Sequence, residues 1–150
     1  MRDRGGVRRP ISAGLDAVWG YEPSVENMTH LVKNVFVADP DSVADELGAM
    51  RYRASIRPTV QERYAALFPA PRQRWLDALG MSDEELATIE TPILIIQGRQ
   101  DKVLPKEGAI ELERKLPRAN LLIVDHAGHW VQIEQTDVFC EAATFFLSAG

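Results

Sequence analysis

Residues 125–130 read Asp-His-Ala-Gly-His-Trp, and residues 98–101 read Gly-Arg-Gln-Asp. Each stretch follows a short apolar run, at residues 121–124 and 93–96 respectively. Short apolar runs bounded by turn residues are typical of strands that are covered on both faces of a sheet. The sequence therefore predicts two buried strands, each of which ends in a loop with polar side chains.

The pattern around these strands changes near residue 90. Before it the chain reads as helices, and after it as strand, helix, strand, helix. Strands that alternate with helices favour parallel pairing in a doubly wound α/β sheet. Two strands are too few for such a sheet, so the sequence implies further strands that these residues do not supply.

Capping residues predict where several helices begin. Ser24 precedes an amphipathic pattern that extends to about residue 38, and Asp41 or Ser42 is expected to cap a helix that extends to about residue 56. Thr59 and Ser82 each open a capping-box pattern. Further helices are predicted at residues 72–79, from Pro105 to about residue 115, and after Thr136.

The composition is that of an ordinary globular chain, with 150 residues of which 45% are hydrophobic and 26% charged. The formal net charge of −5 gives no general attraction to nucleic acid or to an anionic membrane, so neither is expected as a partner. We find no apolar run long enough to span a membrane and no secretory signal, and therefore expect a cytoplasmic location. Cys140 is the one cysteine, which excludes an internal disulfide, and its helical context predicts a buried thiol.

Asp101 and His129 follow the two predicted strands. If these strands are neighbours, both loops project from the edge of the sheet where ligands bind in α/β proteins. A carboxylate followed by a histidine is the acid and base part of a Ser-His-Asp hydrolase, and Gly128 allows an unusual backbone beside the histidine. The simpler alternative is that Asp101 caps a turn and His129 caps the last helix.

A metal site is a weaker interpretation of the same loop. His126 and His129 are spaced as H-x-x-H, but the third and fourth ligands of a zinc site are missing from the pattern. We therefore expect no metal. No cofactor is implied either, because hydrolysis needs only water, a nucleophile and an acid–base pair.

The nucleophile of such a hydrolase is not found in the sequence. The stretch most similar to the G-x-S-x-G elbow is residues 10–14, where proline replaces the first glycine and Ser12 is the central serine. An elbow requires a buried strand before it, and residues 4–9 do not form one, so Ser12 is rejected as the nucleophile. An H-G-G-G-type oxyanion loop is also missing.

Five longer segments carry a resemblance to a known family: residues 14–24, 50–56, 68–75, 94–101 and 128–134. Through them the chain resembles the C-terminal half of the meta-cleavage product hydrolases, a branch of the α/β-hydrolase superfamily. These enzymes hydrolyse a carbon–carbon bond in 2-hydroxy-6-oxo-dienoates from aromatic ring cleavage. The subgroup that acts on 2-hydroxymuconic semialdehyde and its alkyl relatives is the most similar.

The resemblance implies a domain organisation and a role for each matching residue. Residues 11–90 would form a helical lid, residues 91–150 the last two strands of the core with their helices, and residues 1–10 match poorly. Asp101 matches the triad acid and His129 the triad histidine. Arg51 matches a lid arginine that binds the substrate carboxylate or dienolate, and Trp130 an aromatic that packs against the substrate. Without the resemblance, Arg51 would be a solvated helix charge and Trp130 a core residue.

The chain also departs from that family. There the nucleophile serine, the oxyanion glycines and the first strands precede the lid, whereas this chain begins just before it. We therefore expect a truncated gene, a misassigned start codon or a fragment, inactive alone, with a small dienoate as the substrate of the whole enzyme. The chain would then self-associate or require the missing N-terminal half.

Two alternatives of other kinds remain open. The chain could be a non-catalytic module or subunit that completes the sheet of a partner by strand addition. It could also come from another α/β hydrolase, such as an esterase or a dehalogenase.

Overall fold

The computed structural model describes residues 9–57 and 59–148, with the exception of the side chain of Ala65. The predicted segment 1–10 therefore lies almost wholly outside the described residues. The helical region, which we define as residues 11–90, contains α1 (Ala13–Trp19), α2 (Val25–His30), a π-helical turn (Leu31–Phe36), a 3-10 turn (Pro40–Ser42), α3 (Glu46–Ser55), α4 (Val60–Leu67), α5 (Gln73–Leu79) and α6 (Asp83–Ala87). The strand region, residues 91–148, contains β1 (Ile93–Gly98), α7 (Lys106–Lys115), β2 (Ala119–Val124), α8 (Val131–Glu134) and α9 (Thr136–Ser148).

The two predicted strands are present and pair in parallel. Their register runs from Ile93 opposite Ala119 to Gly98 opposite Val124. Parallel strands need a crossover, which α7 supplies. The α/β fold class predicted from the sequence is thereby confirmed, and the register brings the carboxyl ends of both strands to one edge.

Apolar side chains join the two regions at that edge. In the helical region, the buried residues Met28, Val32, Val37 and Val43 form one cluster, against which Trp130 of the strand region packs. A second cluster mixes both regions directly, because it contains Leu15, Leu31, Val35 and Val103. The third cluster, Val124, Ala127 and Val131, includes the loop that follows β2 and is contacted by Phe139 of α9. The loop after β2 is therefore packed against both the helical region and the strand region.

Two of the predicted caps are confirmed. The Ser24 hydroxyl accepts the amide of Asn27 at the start of α2, and Ser82 forms a complete capping box with Glu85. The helix that Ser24 begins ends at Phe36, and its second half has π-helical hydrogen bonding that the amphipathic pattern did not predict.

Two other cap predictions are wrong. The segment at Asp41 and Ser42 is a short 3-10 turn closed by the side chain of Asp39, and α3 begins only at Glu46. Asp39 competes for the local amides, which is why its turn replaces the first part of the predicted helix. Thr59 has φ 68° and makes no side-chain cap bond, whereas a residue that caps a helix through its side chain normally has an extended backbone.

The prediction of a buried Cys140 is also wrong, since the side chain is exposed. None of the described residues of α9 is fully buried, and Phe145 and Leu147 are 76% and 77% exposed. The helix is amphipathic, but no element in the described part of the chain covers the face that carries Phe145 and Leu147. Across the described residues, every helix is too short or too polar to cross a lipid bilayer.

Candidate functional site

The loops after β1 and β2 are hydrogen-bonded to each other. The amide of Arg99 donates to the carbonyl of Val124 at 2.8 Å, and that of Gln100 donates to the carbonyl of Ala127 at 3.0 Å. These bonds extend the strand pairing into the loops. They fix the backbone of Asp101 relative to that of His129 before any side chain is considered.

Asp101 and His129 form a hydrogen-bonded pair. The Nδ1 atom of His129 lies 3.0 Å from Oδ2 of Asp101. The other carboxylate oxygen, Oδ1, accepts the backbone amides of Val103 at 2.7 Å and Leu104 at 2.9 Å. The carboxylate is thus held at both oxygens, and the sequence-predicted juxtaposition of acid and base is present in the structure.

Electrostatics keep this carboxyl ionised. Burial by itself would raise the pKa of Asp101, whose side chain is only 5% exposed. The hydrogen bond from His129 and those from the amides of Leu104 and Val103 outweigh burial, and the pKa of Asp101 lies below its usual range. An ionised Asp101 accepts the Nδ1 proton of His129, which leaves Nε2 as the atom that can take up a proton.

The helical region holds the backbone of the histidine. The amide of His129 donates to the carbonyl of Phe36 at 2.7 Å, and that of Trp130 donates to the same oxygen at 3.2 Å. The Phe36 ring stacks on Trp130 with centroids 4.6 Å apart and lies 5.9 Å from the His129 ring. Phe36 therefore contributes an aromatic wall beside the base, which sequence reasoning did not identify.

Arg51 of α3 reaches the same wall. Its guanidinium carbon lies 5.3 Å from the ring centroid of Trp130, within the range of a cation–π contact. A cavity of about 210 Å³ adjoins it, lined mainly by apolar side chains together with Tyr21, Ser55 and Tyr64. Arg51 and Trp130, predicted as separate contacts with a ligand, are in contact with each other, and Arg51 is an exposed residue.

Gly128 is required for a different reason from the one predicted. None of the glycines in the described segments has a positive φ. The residue of this loop that has a positive φ is His126, at 52°. A Cβ atom on Gly128 would instead meet the backbone of the helical region, 2.8 Å from the carbonyl carbon of Val37. Glycine is needed here for close approach, and not for a turn.

The other candidates take structural roles. The hydroxyl of Ser12 accepts the amide of Leu15 as the N-cap of α1 and donates to the carbonyl of Val103 at 2.7 Å. Its rejection as a nucleophile agrees with this use of the hydroxyl. Within residues 9–57 and 59–148, His, Cys, Asp and Glu side chains form no group of three that could hold a metal.

Two further residues of the site were missed in the sequence. Gln97 is buried at the end of β1, and its amide nitrogen donates to Oδ2 of Asp101 at 3.2 Å and to the carbonyl of Leu104 at 3.0 Å. Glu134 binds backbone amides on both sides of the site. A polar residue directly after an apolar run was a usable signal for Gln97. The bond of Glu134 to Gly128 spans only 6 positions, but its bonds to Ala38 and Asp39 span 96 and 95 positions, and no local pattern indicates those.

Comparison with known proteins adds three findings. The model of the alpha/beta hydrolase fold family matches residues 37–136. The chain is 47% identical over 144 residues to 2-hydroxy-6-oxo-2,4-heptadienoate hydrolase of Pseudomonas putida strain F1, covering 96% of this chain and 52% of that protein. It is 43% identical over 143 residues to 2-hydroxymuconate semialdehyde hydrolase of Pseudomonas sp. strain CF600, covering 95% of this chain and 50% of that protein.

A solved structure is similar over the same extent. The meta-cleavage product hydrolase of Pseudomonas fluorescens IP01, a serine-to-alanine variant complexed with acetates, superposes with a TM-score of 0.91 at 46% identity. The match covers 97% of this chain and 53% of that one. The chain thus spans about half the length of the relatives it matches. The predicted resemblance to this branch of hydrolases is confirmed.

Proposed function

The chain belongs to the α/β-hydrolase fold family, whose model matches residues 37–136, and on that premise we propose that it forms the lid and the acid–base half of a carbon–carbon bond hydrolase. Its substrates would be 2-hydroxy-6-oxo-dienoates of the 2-hydroxymuconic semialdehyde type. The observation that carries this proposal is the 3.0 Å contact between His129 and Asp101 at the strand ends, beside Arg51 and Trp130 of the adjoining wall.

His129 acts as the general base in this proposal. Asp101 accepts the Nδ1 proton and so directs Nε2 toward the reacting groups. The enol of the substrate would first ketonise, which places a proton on the carbon that later leaves. Nε2 would then take the proton of a serine hydroxyl as it attacks the substrate carbonyl, and the carbon–carbon bond would break to give an acyl-serine and a dienolate, which takes up that proton. Water, deprotonated by the same nitrogen, would hydrolyse the acyl-serine and return the proton to the serine. Because the sequence holds no G-x-S-x-G elbow, the serine must come from polypeptide outside these 150 residues.

Arg51 and the aromatic wall explain the proposed substrate class. A planar guanidinium can bind a carboxylate through two parallel hydrogen bonds. The stacked rings of Phe36 and Trp130 offer a flat apolar surface that suits a conjugated dienoate. These two features support a small, planar and anionic substrate over a bulky neutral ester.

Reconstitution tests the proposal. The chain alone is expected to show no turnover of 2-hydroxy-6-oxo-2,4-heptadienoate, and addition of the N-terminal half of the Pseudomonas putida relative is expected to restore it. His129→Ala should abolish the restored activity, whereas His126→Ala, on the exposed side of the same loop, should retain it. Restored activity that survives His129→Ala, or a folded mixture without activity, would contradict the proposal.

A parallel assay with an aryl ester separates this proposal from an esterase. We expect turnover of the dienoate to exceed that of the ester. The reverse preference would favour the esterase alternative. For the assembled hydrolase we propose a cytoplasmic location, which fractionation of the source cells would test.

A partner-completing role is the second candidate, and the exposed face of α9 favours it. Phe145 and Leu147 are 76% and 77% exposed, and exposed apolar surface of this kind commonly marks an interaction site. The partner would be a second copy of the chain or another protein whose sheet is extended by the two strands. Sedimentation velocity of the purified chain tests this: stable self-association supports the role, and a compact monomer contradicts it.

A further inference from the structure

Two segments from distant parts of the chain meet backbone to backbone beside His129. We call residues 36–39 the exit segment, because they begin at the last residue of the π-helical turn, and residues 126–130 the base loop. Val37 and Ala127, one from each segment, are both fully buried. The carbonyl of Phe36 already binds the amides of His129 and Trp130. This junction is where the helical region touches the candidate base.

Glu134 binds both segments through its two carboxylate oxygens. Oε1 accepts the amide of Ala38 at 2.6 Å and that of Asp39 at 3.3 Å. Oε2 accepts the amide of Gly128 at 2.6 Å. Each oxygen therefore serves one segment, and a single side chain at the end of α8 connects the exit segment to the base loop.

The bonds that Glu134 accepts belong to the stronger class of hydrogen bonds in proteins. Hydrogen bonds from backbone amides to an ionised carboxylate are shorter and stronger than those between neutral groups. Gly128 is buried, and a buried amide left without an acceptor costs free energy. Glu134 therefore adds to the direct bonds from the Phe36 carbonyl a carboxylate that accepts amides from both segments at once.

We propose that Glu134 is a positioning residue, which holds the base loop against the exit segment and so fixes the His129 ring relative to Phe36 and Asp101. The role assigned to His129 rests on the proposed function above, but the junction itself does not. Gly128 adjoins His129 in the chain, so a displaced Gly128 amide moves the ring. Catalytic geometry is sensitive to displacements of about 1 Å.

The test compares Glu134→Gln with the parent 150-residue chain. Glutamine keeps one acceptor oxygen but turns an NH₂ group toward the amides on the other side. We expect the amide hydrogens of Ala38 or Gly128 to exchange about tenfold faster or more, the range for loss of a charge-assisted hydrogen bond. The matched control is Glu141→Gln on the exposed surface of α9, which should leave both amides unchanged.

The second readout is the tautomer of His129, followed by nitrogen-15 NMR of the imidazole. In the parent, Asp101 selects the form with the proton on Nδ1. In Glu134→Gln we expect a mixture of the two tautomers, because the ring is no longer held at the carboxylate. A role confined to general stability would not change the tautomer while the chain remains folded.

Three results would overturn the proposal. The first is a variant with the parent's exchange rates and tautomer. The second is acceleration spread evenly over all amides, which indicates only a loss of global stability. The third is a parent chain whose Ala38 and Gly128 amides are unprotected.

If Glu134→Gln does not fold, a measurement on the parent chain alone tests the proposal. Scalar coupling through the hydrogen bonds from the Gly128 and Ala38 amide nitrogens to the Glu134 carboxyl carbon supports the junction, and its absence refutes it. None of these readouts uses turnover, so a failure of the proposed hydrolase activity is recognised separately.

Discussion

Gly128 lies directly against the carbonyl group of Phe36, and a Cβ atom at Gly128 would be 2.7 Å from that oxygen. The contact joins the helical region to the loop that carries His129. The same added atom would be 2.9 Å from the amide nitrogen of Ala38. All three of the nearest atoms belong to the backbone of residues 36–38, so an added Cβ could be accommodated only if the loop or that backbone moved.

Gly128→Ala is therefore expected to destabilise the chain by roughly 1–3 kcal/mol, the usual cost of overpacking. Gly108→Ala is the matched control, because nothing lies within 4 Å of a Cβ placed there in α7. That substitution should stabilise the chain by about 0.5–1 kcal/mol through helix propensity. Urea unfolding followed by circular dichroism measures both; equal effects at the two positions would contradict the close approach.

Asp101 predicts a pH dependence of stability. Its pKa is lower in the folded chain than in the unfolded chain, so its stabilisation is complete above the unfolded value of about 3.9. It is lost as the pH falls through the folded value. We expect the urea midpoint of the parent to fall more steeply from pH 5 to pH 3 than that of Asp101→Asn. The exposed Asp137 of α9 supplies the control Asp137→Asn, which should follow the parent.

Gln97→Met removes the buried amide that binds Asp101 and the carbonyl of Leu104. The substitution removes a donor to the charged Asp101 and leaves the Leu104 carbonyl without this partner. We therefore expect the free energy of unfolding to fall by about 1–3 kcal/mol. Gln132 of α8 offers a comparison, since its side chain is exposed. Gln132→Met should cost less in the same unfolding measurement. A larger loss at Gln132 would argue against the importance of Gln97.

Arg51→Leu should raise the KM for the dienoate in the reconstituted hydrolase by about tenfold or more, as expected for a lost charge-assisted hydrogen bond. Arg51→Lys should recover part of the affinity, because it retains the charge but not the planar fork. Arg53 lies on the same helix and is also exposed. Arg53→Leu is the control, and an equal rise in KM there would remove the special role of Arg51.

Local patterns predicted the parts of the fold that local physics determines. Both strands, the Ser24 cap and the Ser82 capping box follow from periodicity and side-chain chemistry within a few residues. The pairing of Asp101 with His129 was also accessible, since parallel strands bring consecutive carboxyl ends together.

The rest depends on contacts between distant residues. Glu134 meets Ala38 across 96 positions of sequence, and no periodicity encodes such a pair. At Thr59 the capping-box pattern is present in the sequence, but the residue has a left-handed backbone and the predicted cap is not formed. Cys140 was expected to be buried because α9 is amphipathic, yet no described element covers that face.

The two side chains of the acid–base pair differ in their exposure to solvent. The side chain of Asp101 is 5% exposed, whereas that of His129 is 31% exposed. Both oxygens of Asp101 accept hydrogen bonds from the protein. The His129 ring is therefore the part of the pair that solvent reaches more readily, and a reagent or substrate that exchanges a proton with the pair is expected to approach from the side of this ring.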